Sequence, residues 1–271
     1  MGGRNVSDTR MRERFEFASI LIEEAGALAL GFFQRLDTLT VAHKGVQDLA
    51  SEADLETEQL IRDRLVVRFP EDAFLGEETG RAEVAGSRGI WVVDPIDGTM
   101  PFVLGMGAWC VSIAYVYDGR FEMGFVMAPA RDELFIGWRG HGATLNGQAI
   151  TLSDSVSLDD GIVGVGYSHR VGADDLLPIL EPLLRQGAMF YREGSGALAL
   201  CYLACGRLIG YVETHINAWD CAAAIAIVQA AGGQTNDFLA GDGLWSGGPI
   251  IAGPPALYGA LAALFRRDGS A

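Results

Sequence analysis

Trp91-Val92-Val93-Asp94-Pro95-Ile96-Asp97-Gly98-Thr99 is the stretch on which the reading of this chain turns. A continuous apolar run from Ile90 to Val93 that stops at Asp94 predicts a strand buried on both faces, with a carboxylate at its exit. Pro95 fixes its own φ and disfavours helix at Asp94, so the chain turns sharply there. Asp94 and Asp97, three apart on that turn, can converge on a hard cation, which asks for several oxygens. Gly98 permits close backbone approach, and Thr99 and Pro101 suit the opening of a helix whose free N–H groups receive an anion. An Asp-rich surface turn is the plainer alternative.

Three further stretches carry acid. Gly76-Glu77-Glu78-Thr79 follows a predicted helix; Trp219-Asp220 opens an apolar one, where Asp220 also suits an N-cap; and Lys44 to Asp54 reads as a charged loop with Asp54 as N-cap. Other constellations fail. No GxxxxGK[ST] loop exists, Ser195 lacks the first glycine of a nucleophile elbow, and the four histidines form no HxxxH pair.

Composition narrows the classes. The 271 residues are 49% hydrophobic and 20% charged, enough for a sizeable core. With 20 basic against 35 acidic residues, the net charge of −15 argues against nucleic acid as a partner. An anionic substrate then requires bound cations to reverse the local field. Four cysteines (Cys110, Cys201, Cys205, Cys221) are too few and too irregularly spaced for a disulfide framework. The polar start carries no signal-peptide pattern, and the longest apolar runs, such as Cys221–Gly233, fall short of a membrane span. These features predict a cytoplasmic protein that does not enter the membrane.

Periodicity predicts a loose tail over 1–7, helices over 8–33 and 54–69, and strands at 39–43, 110–117, 121–127 and 133–138. Asn146-Gly147 marks a hairpin. The second half alternates: strands at 161–167, 208–213 and 249–253, helices at 174–186, 197–206, 220–231 and 256–265. The expected class is layered α+β or α/β, with a soft boundary near Ser153–Ser157.

Together these segments resemble the inositol monophosphatase family. The matching pieces are Lys44, Asp48 and Asp54; Gly76-Glu77-Glu78; Trp91 to Thr99; Gly194-Ser195-Gly196-Ala197; then Glu213, Trp219-Asp220 and the Ala-rich helix ending Ala231-Gly232-Gly233. The resemblance implies an α-β-α-β-α sandwich, a homodimer, and two or three Mg2+ in a cleft between halves 1–153 and 154–271. Glu77, Asp94 and the Ile96 carbonyl would hold one ion; Asp94, Asp97 and Asp220 a second. Glu77 would also position the attacking water. The Gly98 and Thr99 amides would hold phosphate, and Thr99 with Asp54 would orient or deprotonate the nucleophile. Gly194, Ser195, Gly196 and Glu213 belong to the substrate side, and Lys44 and Asp48 lie beside the site. The implied activity is lithium-sensitive hydrolysis of a small phosphate monoester, myo-inositol 1-phosphate first. Histidinol phosphate is the alternative substrate, and a regulatory, protein-binding relative with incidental phosphatase activity is the alternative role. Met100 and Pro101 before Phe102, and the Lys44–Asp48 spacing, depart from the family pattern and bear on substrate identity.

Overall fold

A computed structural model describes residues 2–38, 41–45, 48–168 and 170–265, with side chains for 8–37, 52–168 and 170–265. The N-terminal half runs α1 (Gly2–Phe33), β1 (Val41–Gly45), β2 (Asp48–Ser51), α2 (Glu52–Arg68), β3 (Ala73–Gly76), β4 (Gly80–Ala82), β5 (Gly89–Asp97), α3 (Thr99–Val103), β6 (Cys110–Tyr117), β7 (Arg120–Ala128), β8 (Glu133–Trp138), β9 (Gly142–Leu145) and β10 (Gln148–Ile150). The C-terminal half follows with β11 (Ile162–Val165), α4 (Ala173–Arg185), β12 (Met189–Tyr191), α5 (Gly196–Ala204), β13 (Gly210–Ile216), α6 (Ala218–Ala230), β14 (Gln234–Thr235), α7 (Gly243–Ser246), β15 (Gly248–Gly253) and α8 (Pro255–Ala263).

Two sheets organise these elements. The larger has eight strands in the order β10-β9-β8-β7-β6-β5-β3-β4, antiparallel except where β3 meets β5. The smaller has five, β12-β11-β13-β15-β14, with the first three parallel. Helices α1 and α2 cover one face of the large sheet, burying Leu21, Ile22, Ile61 and Leu65 against Trp91, Ile113 and Phe125. Helices α5 and α6 lie between the sheets, and α8 covers the far face of the small one through Leu257 and Leu261. The result is the layered α-β-α-β-α sandwich.

Helix α6 shows why the middle layer is so close-packed. Cys221 through Val228 are all buried, as expected of a helix apolar on every side and enclosed on every side. The sheet facing it is thinned to receive it. A Cβ on Gly124 of β7 would lie 1.9 Å from the Ala223 carbonyl oxygen, and one on Gly137 of β8 would lie 2.6 Å from Ile227 Cα.

The structure moves several expected boundaries. Helix α1 begins at Gly2, so residues 2–7 are helical and not a loose tail. Helix α2 begins at Glu52, which puts Asp54 inside its first turn instead of at the N-cap. The stretch expected to be a loop from Lys44 to Asp54 instead takes in the end of β1, all of β2, which pairs with it, and the start of α2. The N-cap of α6 is Asn217; Asp220 is the reciprocal partner three residues in, accepting from the Asn217 amide at 3.2 Å. The strand expected to stop at Asp94 continues to Asp97.

Candidate active site

The last four residues of β5 are not a regular strand. Asp94 pairs with Ser112 and Asp97 with Cys110, so three steps on β5 oppose two on β6. That one extra residue is a β-bulge. Side chains three apart on a regular strand point to opposite faces; the bulge cancels one alternation and returns Asp94 and Asp97 to the same side. Pro95, which has no N–H to give a ladder, is suited to such a position. The Asp94 carboxylate accepts from the Ile96 amide at 2.9 Å, which closes the turn locally.

Asp220 arrives from the other half, on the first turn of α6. One oxygen each from Asp94, Asp97 and Asp220 lie within 4.8 Å of one another. Glu77, in the turn between β3 and β4, stands beside them, its amide donating to the Val93 carbonyl at 3.2 Å. Asp97 is braced from across the cleft: it accepts from Ser195 Oγ at 2.5 Å and from the amides of Gly196 at 3.3 Å and Ala197 at 2.7 Å. Gly98 follows at φ 95°, a left-handed conformation that favours glycine. A Cβ there would also sit 2.7 Å from the Ala108 carbonyl oxygen. Thr99 Oγ1 then donates within reach of both Asp54 Oδ1 at 3.3 Å and the Ile96 carbonyl at 3.1 Å.

Clustered acids at this density perturb one another. Burial, then the Asp220 charge, raise Glu77 well above the ordinary carboxylate range. Burial and then Glu77 do the same to Asp94, and Asp97 is pushed up to about 7 by burial and Asp220. Asp220 is raised by burial. A divalent cation would relieve both the desolvation and the mutual repulsion, and its binding would displace protons. The donor set fits a hard ion. Among the described residues the converging group consists of carboxylates alone. The nearby Cys110 Sγ is 3.9 Å from Asp97 Oδ2, but burial drives that thiol well above its usual range, so it stays protonated.

The cleft over these carboxylates has a volume of about 210 Å³ and takes its lining from both halves, Glu77, Asp97 and Thr99 from one, Gly194, Glu213 and Asp220 from the other. Glu213 is buried, accepts from Tyr211 Oη at 2.8 Å, and is raised to about 8 chiefly by burial. Ser195, expected on the substrate side, gives its hydroxyl to Asp97 and caps α5 by accepting from the Leu198 amide at 3.1 Å. Lys44 and Asp48 lie on β1 and β2; their side chains are outside the described residues.

Comparison with known proteins sets this geometry in context. A sequence model described as the inositol monophosphatase family matches residues 10–270. The chain belongs to the inositol monophosphatase family. A relative from Pseudomonas aeruginosa named Nus factor SuhB is 35% identical over 257 residues, covering 93% of this chain and 95% of that one. An inositol-1-monophosphatase from Mesorhizobium japonicum is 34% identical over 241 residues, 88% of this chain and 91% of the relative. The solved inositol monophosphatase of Anabaena (Nostoc) sp. PCC 7120 superposes with a TM-score of 0.81 at 27% identity, covering 94% of this chain and 96% of that one. The family is one of metal-dependent phosphatases, which agrees with the acidic cluster found here.

One residue of the site escapes a motif reading. Glu58 on α2 is fully buried, and its carboxylate accepts from the amides of Glu78 at 2.8 Å and Thr79 at 2.7 Å, clamping the turn that carries Glu77. The available signal was its register: 58, 61 and 65 share one helical face, so a charge stood on the apolar side.

Proposed function

We propose that this family member hydrolyses a small phosphate monoester with Mg2+, myo-inositol 1-phosphate being the first candidate. The observation that carries the reading is the convergence of Asp94, Asp97 and Asp220 within 4.8 Å, with Thr99 and Asp54 hydrogen-bonded beside them. In the proposed arrangement Glu77, Asp94 and the Ile96 carbonyl hold one ion, and Asp94, Asp97 and Asp220 a second. Bound magnesium neutralises phosphate charge, acidifies water and stabilises the leaving alkoxide.

The chain's own groups do the rest. The Gly98 and Thr99 amides hold the phosphate oxygens. Glu77 positions the attacking water, and Asp54 receives its proton through Thr99 Oγ1. Gly194 and Glu213 face the alcohol, and Ser195 and Gly196 serve that side by bracing Asp97. The halves 1–153 and 154–271 meet at this cleft, and the reading includes a homodimer acting in the cytoplasm.

Phosphate release with and without magnesium tests the reading over myo-inositol 1-phosphate, histidinol phosphate, fructose 1,6-bisphosphate and adenosine 3′,5′-bisphosphate. Magnesium-dependent release, inhibited by lithium, supports it. Activity indifferent to magnesium overturns it. A second reading, a protein-binding regulator with incidental phosphatase activity, draws support from the relative named Nus factor SuhB. Pull-down from native extract by the wild type and by an inactive Asp220→Asn variant separates the two: capture by both, without measurable phosphate release by the wild type, favours the regulator.

A further inference from the structure

The mouth of the cleft carries charge that the hydrolytic step leaves unused. Arg170 and Arg192 line it, and both are exposed. Strands β11 and β12 are parallel neighbours, with Gly164 paired to Tyr191; Arg192 directly follows β12, and Arg170 lies five residues beyond β11. Carboxyl ends of parallel strands are where open α/β sheets receive ligands. Arg192 is held there, its guanidinium donating to the Tyr167 carbonyl at 3.1 Å.

The site's own acids feel both charges, Asp220 that of Arg170 and Glu213 that of Arg192, yet none lies within ion-pair distance of either. Glu193 pairs with Arg131 at 2.5 Å and also accepts from Tyr191 Oη; Glu213 accepts from Tyr211 Oη. Among the described residues neither Arg170 nor Arg192 forms an ion pair with a carboxylate. In a chain of net charge −15, two guanidinium groups not in contact with any carboxylate among the described residues stand at the entrance to the cleft assigned to phosphate. They are not needed for the scissile phosphate, which in the proposed function is held by the metal ions and the Gly98 and Thr99 amides. Guanidinium groups match phosphate and carboxylate by charge-assisted, bidentate hydrogen bonds.

We infer that Arg170 and Arg192 form a second anion subsite, so that the preferred ester carries a further phosphate or carboxylate on its alcohol. The inference rests on the phosphatase reading above and adds the substrate class to it.

Two matched substrate pairs test it. myo-Inositol 1,4-bisphosphate against myo-inositol 1-phosphate asks about a second phosphate, and 2-phosphoglycerate against glycerol 2-phosphate about a carboxylate. In at least one pair the wild type should favour the doubly anionic ester by about tenfold or more in kcat/KM, the scale of one or two hydrogen bonds to charged groups. The preference should shrink with added salt and collapse towards one in R170Q/R192Q. Ratios near one in both wild-type pairs overturn the subsite, as does a preference that survives the double substitution. Should no ester release phosphate, the phosphatase reading falls on its own. Equilibrium binding of the same four esters with Mg2+ then decides the subsite: tighter binding of the doubly anionic member, lost in R170Q/R192Q, upholds it, and equal affinity ends it.

Discussion

Asp97 accepts from Ser195 Oγ and from the amides of Gly196 and Ala197, so an acid of the N-terminal half is pinned to the start of α5 in the other. Asp220 makes the reverse crossing. Asp220→Asn keeps the shape and removes a charge, and turnover should fall by at least about a hundredfold, given the several kcal/mol a catalytic metal supplies. An unchanged melting curve beside near-normal turnover would remove Asp220 from the metal set. Glu58 should show a different pattern. Glu58→Ala strands two amide N–H groups, at about 1–3 kcal/mol each, so chemical denaturation should register a loss of about 2–6 kcal/mol. The half-saturating magnesium concentration should rise with it, because the Glu77 turn is released. Glu58→Gln keeps one acceptor oxygen and should recover part of both losses; a variant as stable as wild type would show that the clamp is dispensable. The clustered carboxylates Glu77, Asp94, Asp97 and Asp220 were legible because their types and spacing are chemically unusual, as in Asp94-Pro95-Ile96-Asp97. Glu58 was not, because a glutamate in a helix has no distinguishing neighbour until its face is known.

At the scale of elements, legibility followed length. Cys110–Tyr117 and Glu133–Trp138 have the bounds that their apolar patterns predict, and the Asn146-Gly147 turn joins β9 to β10 with both residues at positive φ. Strands β4 and β12 went unseen, since three residues carry too few side chains to show a period. The bulge in β5 was hidden for another reason: it is a property of a pair, and β6 must be in place before three residues can be counted against two. Helix α6 depends on a comparable partnership. Gly124→Ala drives a methyl group into the Ala223 carbonyl, a backbone atom that cannot rotate aside. The expected cost is about 3 kcal/mol, read as a lower urea midpoint with the slope unchanged. Turnover should drop too, since α6 carries Asp220. Wild-type stability in this variant would show that the helix has room to shift.

The whole molecule should sense pH through its buried acids. Asp97 is raised from 3.8 to about 7 and Glu213 from 4.5 to about 8. An acid with a raised pKa binds its proton more tightly folded than unfolded, so the metal-free protein loses stability as pH climbs from about 4 to about 8. Scanning calorimetry should find a melting temperature several degrees lower at about pH 8 than at about pH 5, with magnesium restoring more at the higher pH. A metal-free melting temperature that rises over this interval would mean that the acids are solvated after all. The enclosed position of α6 bears on the order in which the chain is made. The large sheet is complete at residue 150, yet the helices that cover its inner face end only at residue 230, about eighty residues later. At 5–20 residues per second, a ribosome therefore holds a finished sheet with one bare apolar face for roughly 4–16 s. During that interval a passing chaperone, or a neighbouring nascent copy, is the sheet's available cover.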